Sequence, residues 1–356
     1  MIRENRLITK EEALAYAAVD RKVIVTPQNE VAALFGLGVE LFVEPRERGQ
    51  LRLDMLGVQE DYYRRFSSFI DLMNFVSGAG GRQIGVKKGD DPFQAVKQTM
   101  GNLPTNRAYT NTILGQFTHP DYPNPKRIQL TPWVSDFHVA SAEANDELSY
   151  YTSYMTVADE QGQLRFDELR ACVLDWATRL RPAHGTAGFT VILEVGVSAI
   201  STGPLTYATL EQYSVVDILS AAPHVYETLQ QYPGLDMQVP ASFIGKVRGV
   251  FNRIKCINWL TVLGDAILEE LGGKNFVQHA LGSECILHPY PGGVVIQAGP
   301  VPRLGNVQKG YMPEQYCNVS RFTKPVRHTG YGKALFRVFE PMNGCEETEK
   351  WVKRFD

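Results

Sequence analysis

Cys285 and His288 stand three residues apart in CILHPYPGGVVIQAG, a thiol and an imidazole near enough in sequence to suggest a nucleophile with its base. Alternation along a strand puts them on opposite faces, which argues against that pairing. Gly80 and Gly85, followed by Lys87 and Lys88, have part of a phosphate-loop spacing. Val86 stands where the lysine must directly follow the second glycine, and no Ser or Thr supplies a magnesium-binding hydroxyl. Gly196 and Ser198 begin a nucleophile elbow, but Ile200 occupies the position where the strained turn needs glycine. The seven histidines (His119, His138, His184, His224, His279, His288, His328) show no HExxH pattern and no pair four residues apart. Zinc ligands usually include two that are close in sequence, so no metal or cofactor site is expected, and no catalytic residue is assigned. Asn318, Val319 and Ser320 form a glycosylation sequon without meaning in a cytosolic chain.

One polar cluster has a second reading. Glu143, Asp146 and Glu147, with Asp159 and Glu160 further on, form either a solvated face or a surface that captures a basic partner electrostatically.

The bulk composition narrows the class. The 356 residues carry 36 basic and 39 acidic side chains, a net charge of −3. A nucleic-acid binder normally shows a basic excess, so none is expected here. Hydrophobic residues make up 44% of the chain, enough for a substantial core without staples. No run approaches the roughly 18 apolar residues that a membrane helix needs, and the N-terminal stretch lacks a signal-peptide core. The five cysteines (Cys172, Cys256, Cys285, Cys317, Cys345) are odd in number and scattered, as suits reduced thiols in the cytoplasm.

The elements that would position these groups follow from pattern. Residues 1–28 read as a polar, partly helical extension. Val31 to Val43 reads as a strand with Glu40 facing out. Arg46 to Gly49 forms a charged turn, and apolar spacing through Tyr62, Phe66, Phe69, Ile70, Met73 and Val76 predicts a helix over 58–76. A glycine-rich loop follows from Gly78 to Gly89, and an irregular, proline-rich excursion from Arg107 to Pro132. Strands are expected near Trp133–Val139 and Tyr150–Val157. The turn Asp159–Gly162 is the best internal boundary, dividing a 29–160 subdomain from a 161–356 subdomain.

Beyond that turn, Phe166, Leu169, Val173, Trp176 and Leu180 lie on one face of a helix ended by Pro182. Gly188–Val197 reads as a buried strand, and Pro223 opens a helix running to Pro233. In NWLTVLGDAILEELGG, Asn258 is expected to cap a helix whose apolar side holds Trp259, Leu260, Leu263, Ile267 and Leu271. Gly264 would admit a close neighbour, and Gly272 and Gly273 would stop the helix. Pro291, Gly292 and Gly293 turn a hairpin. A helix near Pro313–Pro325, a strand ALFRVF and a closing helix complete the chain. Strands and helices alternate without a βαβ rhythm, which predicts an α+β fold with mixed or antiparallel sheets and helices packed against them, not a doubly wound one.

Several longer segments carry a resemblance: LRPAHGTAGF, VYETLQQYPGLD, IKCINWLTVLGDAILEELGG, HPYPGGVVIQAGPVPRLGNV and TEKWVKRFD. From about Leu164 onward the chain resembles the type VI secretion immunity family. That resemblance implies a cytoplasmic antidote to a cognate secreted toxin, with a restriction-endonuclease-like nuclease as the first partner class. It supplies no catalytic residues. Asn258, Trp259, Gly264, Gly292, Gly293, Gln297, Gly299 and Pro300 are then expected to hold the scaffold. The expected toxin contact is Glu143, Asp146, Glu147, Asp159 and Glu160, helped by Tyr150 and Tyr151, through tight one-to-one occlusion. A secretion-accessory chaperone or an enzymatic antidote using Cys285 and His288 stands as the alternative.

Overall fold

The computed structural model describes residues 23–25, 31–44, 46–69, 74–77, 82–85, 91–102, 104, 109–114, 133–139, 148–159, 161–193, 207, 210–219, 253–307, 310–329, 331, 334, 338 and 341–356. The fold is α+β. Twelve strands are assigned among these residues: β1 (Val23–Val25), β2 (Val31–Val43), β3 (Asn74–Ser77), β4 (Arg82–Gly85), β5 (Tyr109–Leu114), β6 (Val134–Val139), β7 (Ser149–Met155), β8 (His184–Leu193), β9 (Asp217–Ile218), β10 (Leu260–Gly264), β11 (Cys285–Tyr290) and β12 (Gly293–Ala298). Ten of them form one sheet, in the order β11-β12-β10-β8-β2-β7-β6-β5, with β1 added on β2 and β9 on β8. Every pairing is antiparallel except β8 with β9. β3 and β4 form a separate hairpin.

Strand β2 sits at the centre. It pairs with β7 on one side and β8 on the other, so both expected subdomains contribute to the same sheet. Its sequence, VAALFGLGVELFV, is rich in β-branched and apolar residues, as a strand flanked on both edges should be.

Among the described residues seven helices accompany the sheet: α1 (Arg48–Phe66), α2 (Pro92–Asn102), α3 (Phe166–Leu180), α4 (Asp265–Glu270), α5 (Lys274–Leu281), α6 (Glu314–Thr323) and α7 (Gly344–Val352). The α1 and α3 pair covers one face. Buried Gln59 of α1 donates to Asn111 O at 3.1 Å and Ser135 O at 3.0 Å, and Tyr62 Oη donates to Tyr154 O at 2.7 Å. Trp176 Nε1 of α3 donates to Asp61 of α1 at 2.8 Å. Phe166, Leu169, Val173, Trp176 and Leu180 are all buried, as their helical spacing predicted. Arg181 ends α3 in the left-handed region, and Pro182 follows.

Several sequence expectations need correction. The first helix runs from Arg48 to Phe66, not over 58–76: the expected charged turn is its start. Glu47 caps it by accepting from Gly49 N–H at 3.0 Å and Gln50 N–H at 2.6 Å. Past Phe66, Phe69 ends a short turn and Val76 lies in β3, while Ile70 and Met73 lie outside the described residues.

The second correction concerns Asn258, which caps no helix. Leu260–Gly264 is a strand, and the helix begins only at Asp265. β10 lies between β8 and β12 with every residue buried, and such a strand reads as a continuous apolar run that periodicity cannot tell from a helix. The third is that part of the expected excursion, Tyr109–Leu114, is the edge strand β5. The expected appendage likewise contributes β1, paired with β2.

The hairpin β11–β12 forms as expected around Gly292, which has a φ of 114°. Gly272 and Gly273 adopt left-handed φ after α4. The helix expected at Pro223–Pro233 and most of ALFRVF lie outside the described residues.

Candidate functional site

Cross-strand partners share a face, so register alone assembles a polar row across the sheet on the side away from α1 and α3. Thr112 pairs with Asp136, Asp136 with Thr152, Thr152 with Glu40, Glu40 with Thr186, and Thr186 with Thr261. Thr112 Oγ1 donates to Asp136 Oδ1 at 2.5 Å. Burial pushes the Asp136 carboxyl above the ordinary carboxylate range, and the Thr112 hydrogen bond and His138 only partly oppose it.

At its middle this row holds a buried charge cluster. Glu40 was expected to face out; it is 1% exposed. Lys255 Nζ lies 3.2 Å from Glu40 Oε2 and 3.1 Å from Asp217 Oδ1, and donates to Ile218 O at 2.6 Å. Thr186 Oγ1 donates to Asp217 Oδ2 at 3.2 Å, and Thr190 Oγ1 to Asp217 O at 3.0 Å. Burial works against the Lys255 charge, but Asp217 and Glu40 outweigh it and hold the ammonium above the usual lysine range. The correction follows: an outward Glu40 would suit a half-exposed strand, whereas β2 is central and the carboxylate finds its cation inside. The signal was present in IKCINW, where one lysine interrupts an apolar run.

The candidate nucleophiles are quiet. Burial pushes the thiol pKa of Cys172 and Cys256 up to about 12, and that of Cys285 up to about 11. His288 bonds Gln297 Oε1 through Nε2 at 2.8 Å rather than any thiol. Burial, helped by Lys255, pushes the His184 pKa down to about 3, so its ring is neutral. Among the described residues no group of three or more His, Cys, Asp or Glu could hold a metal. No helix among them is long and apolar enough to cross a membrane.

Of the expected contact residues, Glu143, Asp146, Glu147 and Glu160 lie outside the described residues. Tyr150 is half-buried on the polar face, its ring stacked on His138 at 5.5 Å. Tyr151 points the other way. It is fully buried, edge-on to Trp176, and its hydroxyl accepts from Ser135. The Asp159 carboxylate is occupied by its own turn, accepting from Gln161 N–H at 3.0 Å and Gln163 N–H at 2.7 Å.

The expected scaffold residues are wired to one another. Trp259 Nε1 and Gln297 Nε2 both donate to Gly299 O, at 3.1 and 3.0 Å, and Gln297 also reaches Pro300 O. Asn258 accepts from Trp259 N–H at 2.7 Å and donates to Phe189 O at 3.2 Å. Gly264 lies against Ala183 O, where a methyl would come within 2.8 Å. A side chain on Gly293 would overlap Leu263 O and the Tyr290 hydroxyl.

Comparison with known proteins agrees with the motif reading. Residues 219–355 match the family described as type VI immunity for VRR-NUC, a match that begins later than the Leu164 from which the motif resemblance runs. The fold is similar to that of a Pseudomonas aeruginosa T6SS protein, PA0821, with a TM-score of 0.71 at 20% identity, covering 97% of this chain and 90% of that one. No curated protein matches the chain. Over residues 219–355 the chain therefore carries the pattern of the type VI immunity family, the resemblance its own motifs suggested.

Proposed function

We propose that this chain is a cytoplasmic immunity protein that neutralises a cognate type VI secretion toxin of the VRR-NUC nuclease class by binding it one to one. The observation that carries this reading is the family match over residues 219–355. The state of three thiols and of His184 supports it: burial keeps Cys172, Cys256 and Cys285 protonated and His184 neutral, where an enzymatic antidote using them would need an activated nucleophile.

Neutralisation at low copy number needs tight binding, and nanomolar affinity corresponds to about 12 kcal/mol. A standard interface of about 1,600 Å² with a few anchors supplies that. We place one contact beside β6 and β7, where Tyr150 closely follows Glu143, Asp146 and Glu147 in sequence. Glu160 belongs to the same proposal. Carboxylates there would stand in for phosphates on the nuclease.

The test is a titration of toxin nuclease activity with purified protein. One equivalent should abolish the activity and give a stable one-to-one complex on gel filtration. Silencing by a small fraction of an equivalent would mean an enzymatic antidote. A complex in which the toxin stays active would mean an escort protein.

A further inference from the structure

A surface cleft of about 450 Å³ opens between α4 and α5, inside the family-matched segment. Its backbone wall is the pair Gly272 and Gly273, whose left-handed φ of 98° and 88° turn the chain between the two helices. Asp265 and Glu269 line it from α4, and Lys274 and Asn275 from α5. Beside it stands Phe276, 52% exposed. A methyl on Gly272 would sit 3.0 Å from the Phe276 ring, so the ring lies along the glycine, next to the cleft and outside its lining, with its centroid 6.4 Å from that of Phe322.

The charges are unbalanced. Lys274 pairs with Asp265 at 2.8 Å, and Arg253 pairs with Glu270 at 2.8 Å. Glu269 is exposed, and its carboxylate has no partner among the described residues. The Lys274–Asp265 pair is about half-exposed on both sides, so solvent screens it and an incoming cation can displace the lysine at little cost. Small-molecule pockets are mostly apolar and enclosed; this one is open and rimmed by charge.

We propose that the α4–α5 cleft receives an arginine side chain of the partner protein. Arginine fits better than lysine. Its guanidinium is planar, stacks on an aromatic face such as Phe276, and presents a fork of donors to a carboxylate such as Glu269. The partner's arginine is the kind of group a nuclease displays to hold phosphates. The assignment rests on the immunity reading, and adds an anchor independent of the β6–β7 contact.

The experiment measures binding of the full chain to its VRR-NUC nuclease at two salt concentrations. The variants are Glu269→Lys, Glu269→Gln and Phe276→Ala, with melting temperatures as a folding control. Glu269→Lys should weaken binding at least tenfold and flatten its salt dependence. Glu269→Gln should weaken it less, and Phe276→Ala several-fold with the salt dependence kept. Wild-type complex formation with all three variants within twofold of wild type would overturn the cleft assignment alone. A wild-type chain that fails to bind the nuclease would overturn the immunity reading and the cleft with it.

Discussion

Lys255 Nζ meets Glu40 Oε2 at 3.2 Å, a contact between residues 215 positions apart that joins the central strand to the family-matched segment. Removing one member of a buried ion cluster leaves the others charged without compensation, which costs about 3–5 kcal/mol. Lys255→Met should therefore lower the free energy of urea unfolding by that order. The triple variant Lys255→Met, Glu40→Gln, Asp217→Asn should recover part of the loss, because neutral groups no longer need the ammonium. A Lys255→Met protein within about 1 kcal/mol of wild type would show that the cluster holds no such charge balance.

His184 gives the acid arm of stability. Its folded pKa of about 3 lies far below the usual value of 6.5, because burial and then Lys255 disfavour the imidazolium. The unfolded chain binds a proton near pH 6.5 and the folded one does not until about pH 3, so stability falls as pH drops through that window. The slope for one site approaches about 1.4 kcal/mol per pH unit. His184→Leu should flatten the profile between pH 6 and pH 4 by up to that amount. Equal slopes in the two proteins would contradict a neutral His184.

Two glycines should respond in opposite directions. Gly57 lies inside α1, and among the described residues an added methyl would meet only Arg179 outside the helix, at 3.9 Å. Gly57→Ala should stabilise the protein by about 0.5–1 kcal/mol through helix propensity. Gly264→Ala would place a methyl 2.8 Å from Ala183 O and 3.0 Å from Pro182 O. It should cost about 1–3 kcal/mol, since the Pro182–Ala183 backbone must move. Thermal melts of the two single variants decide both.

Adjacent tyrosines separate fold from function. Tyr151→Ala empties a fully buried site beside Trp176 and should cost about 3–5 kcal/mol of stability. Tyr150→Ala removes a half-buried ring stacked on His138 and should lower the melting temperature far less than Tyr151→Ala. Under the proposed β6–β7 contact it should weaken toxin capture by tenfold or more. Unchanged capture would move the contact away from that end of the sheet.

The legible parts of the fold were those in which one face is buried and the other wet. α3 announced itself through Phe166, Leu169, Val173, Trp176 and Leu180, and the β11–β12 hairpin through its Pro-Gly-Gly turn. β10 misled because a strand buried on both faces loses the alternation that marks a strand. Glu40 misled for the same reason: in a central strand, facing away from the helices does not mean facing water. The Lys255 partnership depends on a contact that no local pattern encodes, although a lysine inside IKCINW was the visible hint. Of the contact surface, Tyr150 and Tyr151 could be assigned to opposite faces once the register was known.

β2 also sets a delay. It leaves the ribosome well before one of its neighbours, β8, which is translated over a hundred residues later. Until then the nascent chain carries a long apolar strand with an open edge, the kind of surface that invites chaperones or self-association. For the antidote proposed above the consequence would be temporal. A half-made molecule gives no protection, so a cell relying on it must keep finished copies in reserve before the toxin arrives.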